Sequence, residues 1–419
     1  MTGDGRVRVR SPWLDAPDSR RVMAALGGDG RPARFVGGCV RDALLDPASP
    51  TVDLDLATPE RPQRVMQLLA AAGLKPIPTG LRHGTVSVQF PEHRFEITTL
   101  RHDVACDGRH AEVAFTDDFA ADAARRDFTI NAMSCDADGL VHDPMGGLAD
   151  LAAGRVRFVG EPRRRIAEDY LRILRFFRFH ARFGRGAPDA DAIAACAELA
   201  PGVDRLSGER VRQELWLILS GPRPEATLEL MAAAGVLEHV IPGPLADVRL
   251  GDLGDPLLRL AALLRPADAG RTEALAERLR LSNQERDRLR LLAGTPLPDL
   301  TAGPAALRLA LYRLGRADFA DLVRLALAAD VIDAATAERA LGCAVAWREP
   351  EFPLRGADLV ALGIPAGPVV GRVLAEVRAA WEAADFALDR AQCLARARDL
   401  AAAGRFDSGR RSAYTPTPV

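Results

Sequence analysis

Short alternating runs of apolar and polar residues dominate the first third of the chain and predict strands. Ala33-Arg34-Phe35-Val36 is strand-like and ends at Gly37-Gly38. Val52, Leu54 and Leu56 fall on one side of the next run, and Asp53 and Asp55 on the other. Val86, Val88 and Phe90 alternate in a third. In a fourth, Phe95 and Ile97 oppose Glu96 and Thr98, so that Glu96 can stand on the same sheet face as the two aspartates or be a plain exposed strand residue. Helical spacing is read over Ser19–Leu26, from Val40 to Leu45, and from Pro59 to Ala72, where Val65, Leu68 and Leu69 form the apolar stripe. Residues 1–20 are polar and are expected to be loosely held. Residues 102–124 read as a loop leading into a short helix, with Asp117, Asp118 and Asp122 as capping or solvated acids.

From Glu161 onward the strand signal nearly vanishes. A single helix is predicted from Arg165 to Arg182, and further helices over Val211–Leu219, Pro224–Ala234, Pro256–Leu264, Thr272–Leu281, Asn283–Ala293, Ala305–Leu314, Ala317–Ala329 and Pro368–Ala384. Gly and Pro punctuate them, and no regular repeat is visible. The pattern predicts an α+β protein. A small sheet with flanking helices extends to about residue 160, and an all-helical arm follows.

Charge narrows the field. Formal net charge is −2 over 419 residues, so no global basic field announces a nucleic-acid partner, and any such contact must come from a local patch. Lys75 is the single lysine, so arginine supplies nearly all the positive charge. The cysteines, Cys39, Cys106, Cys135, Cys196, Cys343 and Cys393, include no C-x-x-C pair, which argues against a zinc or redox motif and fits reduced thiols in a cytoplasmic protein. No signal-peptide pattern opens the chain, and no run of about 18 apolar residues predicts a membrane span.

The acidic strand carries the candidate chemistry. Asp53 and Asp55 are two carboxylates on one strand face just after a glycine turn. Nucleotidyl transfer needs charge neutralised at the α-phosphate and at the attacking and leaving oxygens, and Mg²⁺ held by oxygen ligands does this. Glu96 either completes the carboxylate set or serves as general base. A strand, glycine turn and helix start also presents backbone N–H groups to an anion. Further on, Asp169, Arg172, Arg175 and Arg178 recur every third residue, a slanting row on the predicted helix. Leu171, Leu174 and Phe177 flank the row on one side, and Ile173, Phe176 and Phe183 on the other. The row suits either a functional surface or a salt-bridged helix packed between domains.

Several motifs occur in a fixed order: Gly37-Gly38-x-Val40-Arg41-Asp42, Asp53-x-Asp55, Arg125-Arg126-Asp127-Phe128-Thr129-Ile130-Asn131-Ala132, Asp143-Pro144-x-Gly146-Gly147-x-x-Asp150-Leu151 and Glu168-Asp169-x-x-Arg172. Together they resemble the class II tRNA nucleotidyltransferase and bacterial poly(A) polymerase family, over about residues 33–220. The resemblance implies an N-terminal segment to residue 30, a nucleotidyltransferase head over 31–160, a helical neck over 161–222, a tRNA-binding body and tail over 223–406, and a disordered tail over 407–419. It implies Mg²⁺ on Asp53 and Asp55 with Glu96 as third carboxylate. It implies nucleotide contacts from Gly37, Gly38, Arg41, Arg125, Asp127, Asn131, Asp169, Arg172, Arg175 and Arg178, with Asp169 and Arg172 reading the base. The implied reaction is template-independent addition of CCA to tRNA from CTP and ATP, with release of pyrophosphate. Poly(A) synthesis, addition of A alone, and a non-catalytic RNA-binding relative are the alternatives. The chain departs from the family after Leu45, where Asp46-Pro47-Ala48-Ser49-Pro50 replaces the usual glycine and lengthens the loop before the aspartates.

Overall fold

The computed structural model describes residues 6–28, 30–81, 84–106 and 111–402. The expected disordered tail over 407–419 lies outside them. A seven-stranded mixed sheet takes the order β3-β4-β5-β2-β1-β8-β9, built from β1 (Arg34–Val36), β2 (Asp53–Thr58), β3 (Ile77–Gly80), β4 (Thr85–Gln89), β5 (Arg94–Thr99), β8 (Ser134–Cys135) and β9 (Val141–His142). Only β2 and β5 run parallel; the other neighbours are antiparallel. Between β5 and β8 the chain forms a separate hairpin of β6 (Arg101–Cys106) and β7 (Ala111–Phe115).

Phe35, Leu54, Leu56, Val86, Phe95 and Ile97 are fully buried, so the period-two reading put the right side chains in the core. Val52 is an exception. It precedes β2 and is 59% exposed, because the strand begins only at Asp53. The short helix expected before Arg125 is present as Phe119–Ala124, but ahead of it residues 102–106 and 111–115 lie in strands β6 and β7 rather than in a loop. The N-terminal stretch is also better held than its polarity suggested. Arg8 bridges to Leu140, Val9 and Trp13 are buried, and the Trp13 ring meets Phe35 at 4.8 Å.

The helices of the first half are α1 (Pro12–Asp15), α2 (Pro17–Leu26), α3 (Gly38–Leu45), α4 (Pro62–Ala71), α5 (Phe119–Ala124), α6 (Gly147–Ala153), α7 (Pro162–Glu168), α8 (Leu171–Phe183), α9 (Ala190–Leu199), α10 (Gly208–Leu219) and α11 (Pro224–Ala233). The helix expected from Arg165 to Arg182 is thus two. Asp169 sits between them with φ −159° and ψ 105°, and its carboxylate accepts the Leu171 N–H at 3.2 Å. An Asp at that position competes for backbone N–H groups and starts a new helix rather than continuing the old one. Then come α12 (Pro256–Leu264), α13 (Ala269–Arg278), α14 (Asn283–Gly294), α15 (Pro304–Leu314), α16 (Arg316–Ala328), α17 (Ala334–Ala346), α18 (Gly356–Ala361), α19 (Pro368–Ala383) and α20 (Arg390–Ala402).

Two compact units share these elements. The first comprises residues up to Leu245 with Gly254–Leu260 and Asp268–Asp287; the second is Ala246–Leu253, Ala261–Ala267 and the chain from Arg288. The sheet and α1–α11 belong to the first. In the second, Phe319, Val323, Leu311 and Ala340 centre one apolar cluster, and Trp381, Leu359, Val373 and Val377 another. Among the described residues no helix is long and apolar enough to cross a membrane.

Candidate active site

The site grows from the turn after β1. Gly37 has φ 75° and ψ −124°, a conformation costly for any residue with a Cβ, and a Cβ there would stand 3.1 Å from Arg126 Nη1. This turn lets α3 start at Gly38, so the first N–H groups of α3 have no acceptor within the helix, and Gly37 and Gly38 line the cavity described below. One turn on, Arg41 is buried. Its Nε donates to Asp42 at 2.8 Å, its Nη1 donates to Asn131 Oδ1, and its guanidinium lies 4.1 Å from the Phe183 ring centre.

On β2, Asp53 and Asp55 point out of the core while Leu54 and Leu56 point in. The parallel register sets Asp55 beside Glu96 and Asp53 beside Arg94, so three carboxylates share one sheet face. Glu96 also accepts from Arg94 Nη2 at 2.6 Å. Asp55 keeps solvent access, yet the surrounding protein, followed by the like charges of Glu96 and Asp53, pushes its pKa up, with Arg126 and Arg94 opposing. Negative charge gathered without full compensation suits a hard cation. No group of three acidic, His or Cys side chains converges on one point among the described residues. Mg²⁺, however, commonly takes only one or two carboxylates and completes its shell with water and substrate phosphates. The donor set fits it.

Beside the acids lies a cavity of about 490 Å³ walled by arginine: Arg41, Arg101, Arg125, Arg126, Arg172, Arg175 and Arg178. Gly37, Gly38, Asp55, Asp127, Asn131 and Phe179 complete most of the lining. Most of these guanidiniums have a carboxylate behind them. Arg175 Nε and Nη2 donate to Asp127 Oδ2 at 2.8 and 2.5 Å. Asp127 Oδ1 in turn accepts from Asn131 Nδ2 at 3.0 Å and from the Phe128 N–H at 2.8 Å. Burial would raise the Asp127 pKa, but Arg175 and these hydrogen bonds outweigh it and hold the carboxyl below its ordinary range. Arg178 Nε donates to Glu214 Oε2 at 2.6 Å, and Arg172 Nη1 to Glu168 Oε2 at 2.7 Å. The Phe179 ring lies 4.6 Å from the Arg178 guanidinium and 5.3 Å from that of Arg175. Such a cavity can take a polyanion, and its one solvent-facing carboxylate edge can take a cation.

Of the residues singled out in the sequence, Gly37, Gly38, Arg41, Asp55, Arg125, Asp127, Asn131, Arg172, Arg175 and Arg178 meet around this cavity. Asp53 and Glu96 stand at its edge on the same sheet face. Asp169 does not join them: it accepts from Arg210 Nη2 at 2.8 Å rather than standing in one row with Arg172. Arg172 Nη2 instead donates to the Arg125 carbonyl at 3.2 Å. Asp122 and Glu214 were missed as contributors. Both are buried acids paired with cavity arginines, and Asp122 is neither a cap nor solvated. Its spacing of three and four residues before Arg125 and Arg126 was the available signal. Glu214 had no local signal, since it comes from α10.

Residues 33–157 match the poly A polymerase head domain family, and residues 187–247 the family described as the probable RNA and SrmB-binding site of polymerase A. The chain is 34% identical over 375 residues to the CCA tRNA nucleotidyltransferase 1, mitochondrial, of Mus musculus, covering 86% of this chain and 85% of the relative. It is 35% identical over 377 residues to the protein of that name from Danio rerio, covering 86% of each. A crystal structure of the Bacillus stearothermophilus CCA-adding enzyme in complex with CTP superimposes with a TM-score of 0.75 at 26% identity, over 93% of this chain and 98% of that one. With the head motifs assembled around one arginine-walled cavity and similarity running through the helical arm, the chain belongs to the CCA tRNA nucleotidyltransferase family.

Proposed function

We propose that this protein adds C, C and A to the 3′ end of tRNA, taking CTP and ATP and releasing pyrophosphate. The observation that carries the reading is the cavity itself. Seven guanidiniums wall it, and the carboxylates of β2 and β5 stand at its edge. A triphosphate needs the first, and a divalent cation the second.

Asp53 and Asp55 would hold Mg²⁺, with Glu96 as the third carboxylate beside them. Bound there, Mg²⁺ supplies positive charge to the α-phosphate and to the attacking and leaving oxygens. The 3′-hydroxyl gives its proton to Glu96 or to water as its oxygen bonds to the α-phosphorus; the bond to the bridging oxygen breaks, and pyrophosphate leaves with that electron pair. The chain's own part is largely positioning. The N–H groups at Gly38 and the start of α3, with Arg41, receive the triphosphate; Arg125, Arg175 and Arg178 add charge along the wall. Asp127 faces the ribose and is kept ionised and oriented by Arg175 and Asn131. Asp169 and Arg172 read the base. Cytosine and adenine both present an amino donor beside a ring-nitrogen acceptor, and a carboxylate beside a guanidinium complements that pair. For this, Asp169 leaves Arg210. The helices beyond residue 222 take the tRNA.

The test is incorporation of labelled CTP and ATP into tRNA lacking its CCA end. Both nucleotides should be added, and Asp53→Ala or Asp55→Ala should abolish both additions while tRNA binding stays near wild type. Ordinary turnover by either variant at saturating Mg²⁺ overturns the metal assignment. Incorporation of ATP alone would reassign the protein as an A-adding relative.

A further inference from the structure

Asp122 joins α5 to β6 and to the two arginines that follow α5, and it is not itself part of the arginine-walled lining. It lies in α5 and is only 3% exposed. Its Oδ1 accepts from Arg125 Nε at 2.8 Å and from the Arg101 N–H at 3.4 Å, and its Oδ2 accepts from Arg126 Nη2 at 3.1 Å. Arg101 opens β6, so one carboxylate joins the foot of the hairpin to two adjacent arginines of the cavity wall. Arg126 reaches on to the Asn131 carbonyl at 3.4 Å and packs beneath Gly37. Burial alone would favour a neutral Asp122, but Arg126 and Arg125 reverse this and keep its pKa below the ordinary range. Without that charge, two neighbouring guanidiniums repel each other and regain the rotamers that an arginine gives up when held.

We propose that Asp122 is the positioning residue that fixes Arg125 and Arg126 in the cavity wall and ties the pair to the foot of the β6–β7 hairpin. It acts through the two guanidiniums and touches no substrate. This rests on the nucleotide reading above. Because the Arg125 carbonyl also accepts from Arg172, displacement of the clamp reaches a base-reading residue as well as the triphosphate contacts.

Asp122→Asn in the full chain keeps the shape and one acceptor oxygen but removes the charge. We expect KM for CTP and ATP to rise about tenfold or more and kcat/KM to fall about 100-fold, the scale of a misplaced binding group. Affinity for tRNA without nucleotide should stay close to wild type, and Asp122→Glu should recover part of the loss. In an Arg125→Gln/Arg126→Gln background, adding Asp122→Asn should cost little more, because the clamp then has nothing to hold. Unchanged nucleotide KM in folded Asp122→Asn overturns the proposal. So does parallel loss of tRNA affinity, nucleotide affinity and Tm, which marks an acid needed only for folding. Should Asp122→Asn not fold, Asp122→Ser is read by the same measurements. Should the wild type incorporate neither nucleotide, the nucleotide reading has failed. The clamp is then judged by the affinity of wild type and Asp122→Asn for inorganic triphosphate: weaker binding by the variant supports it, and equal binding overturns it.

Discussion

A buried carboxylate is stable as an anion only where something nearby favours the charge. Asp127 shows the balance at the scale of one residue: burial opposes ionisation, and Arg175, Asn131 and the Phe128 N–H together more than offset it. The sign of the pH effect follows. A group whose native pKa lies below its unfolded value adds stability above the ordinary Asp pKa of about 3.9, and that stability is lost as pH falls through the lower native value. Asp127→Asn should therefore destabilise the protein at pH 6–7 by on the order of 3 kcal/mol, the usual scale for breaking a buried pair. The gap between variant and wild type should close as pH drops below about 4. Denaturant melts of both proteins from pH 3 to 7 measure it, and a gap that stays constant with pH would show that the ion pair is not its source. Asp127 was legible in the sequence as part of Arg125-Arg126-Asp127-Phe128. Its partner Arg175, 48 residues on, was legible only as one member of a basic row on a helix.

Elements decide where such side chains point. At the turn between β1 and α3, Gly37→Ala forces a Cβ into a conformation that side chains rarely adopt and close to Arg126. The expected cost is about 1–3 kcal/mol of stability, read as a lower Tm, together with weaker CTP binding. A wild-type Tm would show that the turn relaxes freely. The strands were legible because their period-two pattern maps directly onto burial, and β2 and β5 present Asp53, Asp55 and Glu96 on one face as that pattern allowed. The β6–β7 hairpin was not legible, because His102-Asp103-Val104-Ala105 and Ala111-Glu112-Val113-Ala114 each offer a single valine among small and polar residues, too little for a strong apolar face. The break at Asp169 was hidden for the opposite reason: helical spacing resumes in phase on both sides of it. That break alters how the proposed base-reading pair must be tested. Exchanging it as Asp169→Arg with Arg172→Asp sets Arg against Arg210 and Asp against Glu168, so overall activity should fall whatever the pair does. The informative quantity is the ratio of UTP and GTP to CTP and ATP incorporation. If the pair reads the base, that ratio should rise by at least about tenfold, since a bidentate contact is worth about 1–3 kcal/mol of discrimination. An unchanged ratio in a folded protein would remove Asp169 and Arg172 from base selection.

For the whole molecule the governing number is the net charge of −2. A chain with 55 basic and 57 acidic side chains exerts no long-range pull on a polyanion such as tRNA. The arginines of the cavity add little, because most are already paired with carboxylates and, in the proposed function, serve the nucleotide. Binding of tRNA must then come from local groups that phosphates can reach, such as Arg164, whose side chain is 82% exposed and 3.9 Å from its nearest carboxylate, and Arg182, 60% exposed and 3.8 Å from Asp42. Exposed pairs of this kind are worth little to the fold, so a phosphate can displace the carboxylate at small cost. Each phosphate neutralised in this way releases counterions, which contributes a slope of roughly −0.7 to −0.9 to a plot of log affinity against log salt. We expect tRNA affinity to fall with a slope steeper than about −3 between low and physiological ionic strength, corresponding to several phosphate contacts. Filter binding or fluorescence anisotropy with tRNA lacking its CCA end measures it. Arg164→Gln and Arg182→Gln should each flatten the slope by about one contact, and an unchanged slope removes that side chain from the RNA surface. A flat salt dependence for the wild type would mean that shape and stacking, rather than an arginine surface, hold the tRNA.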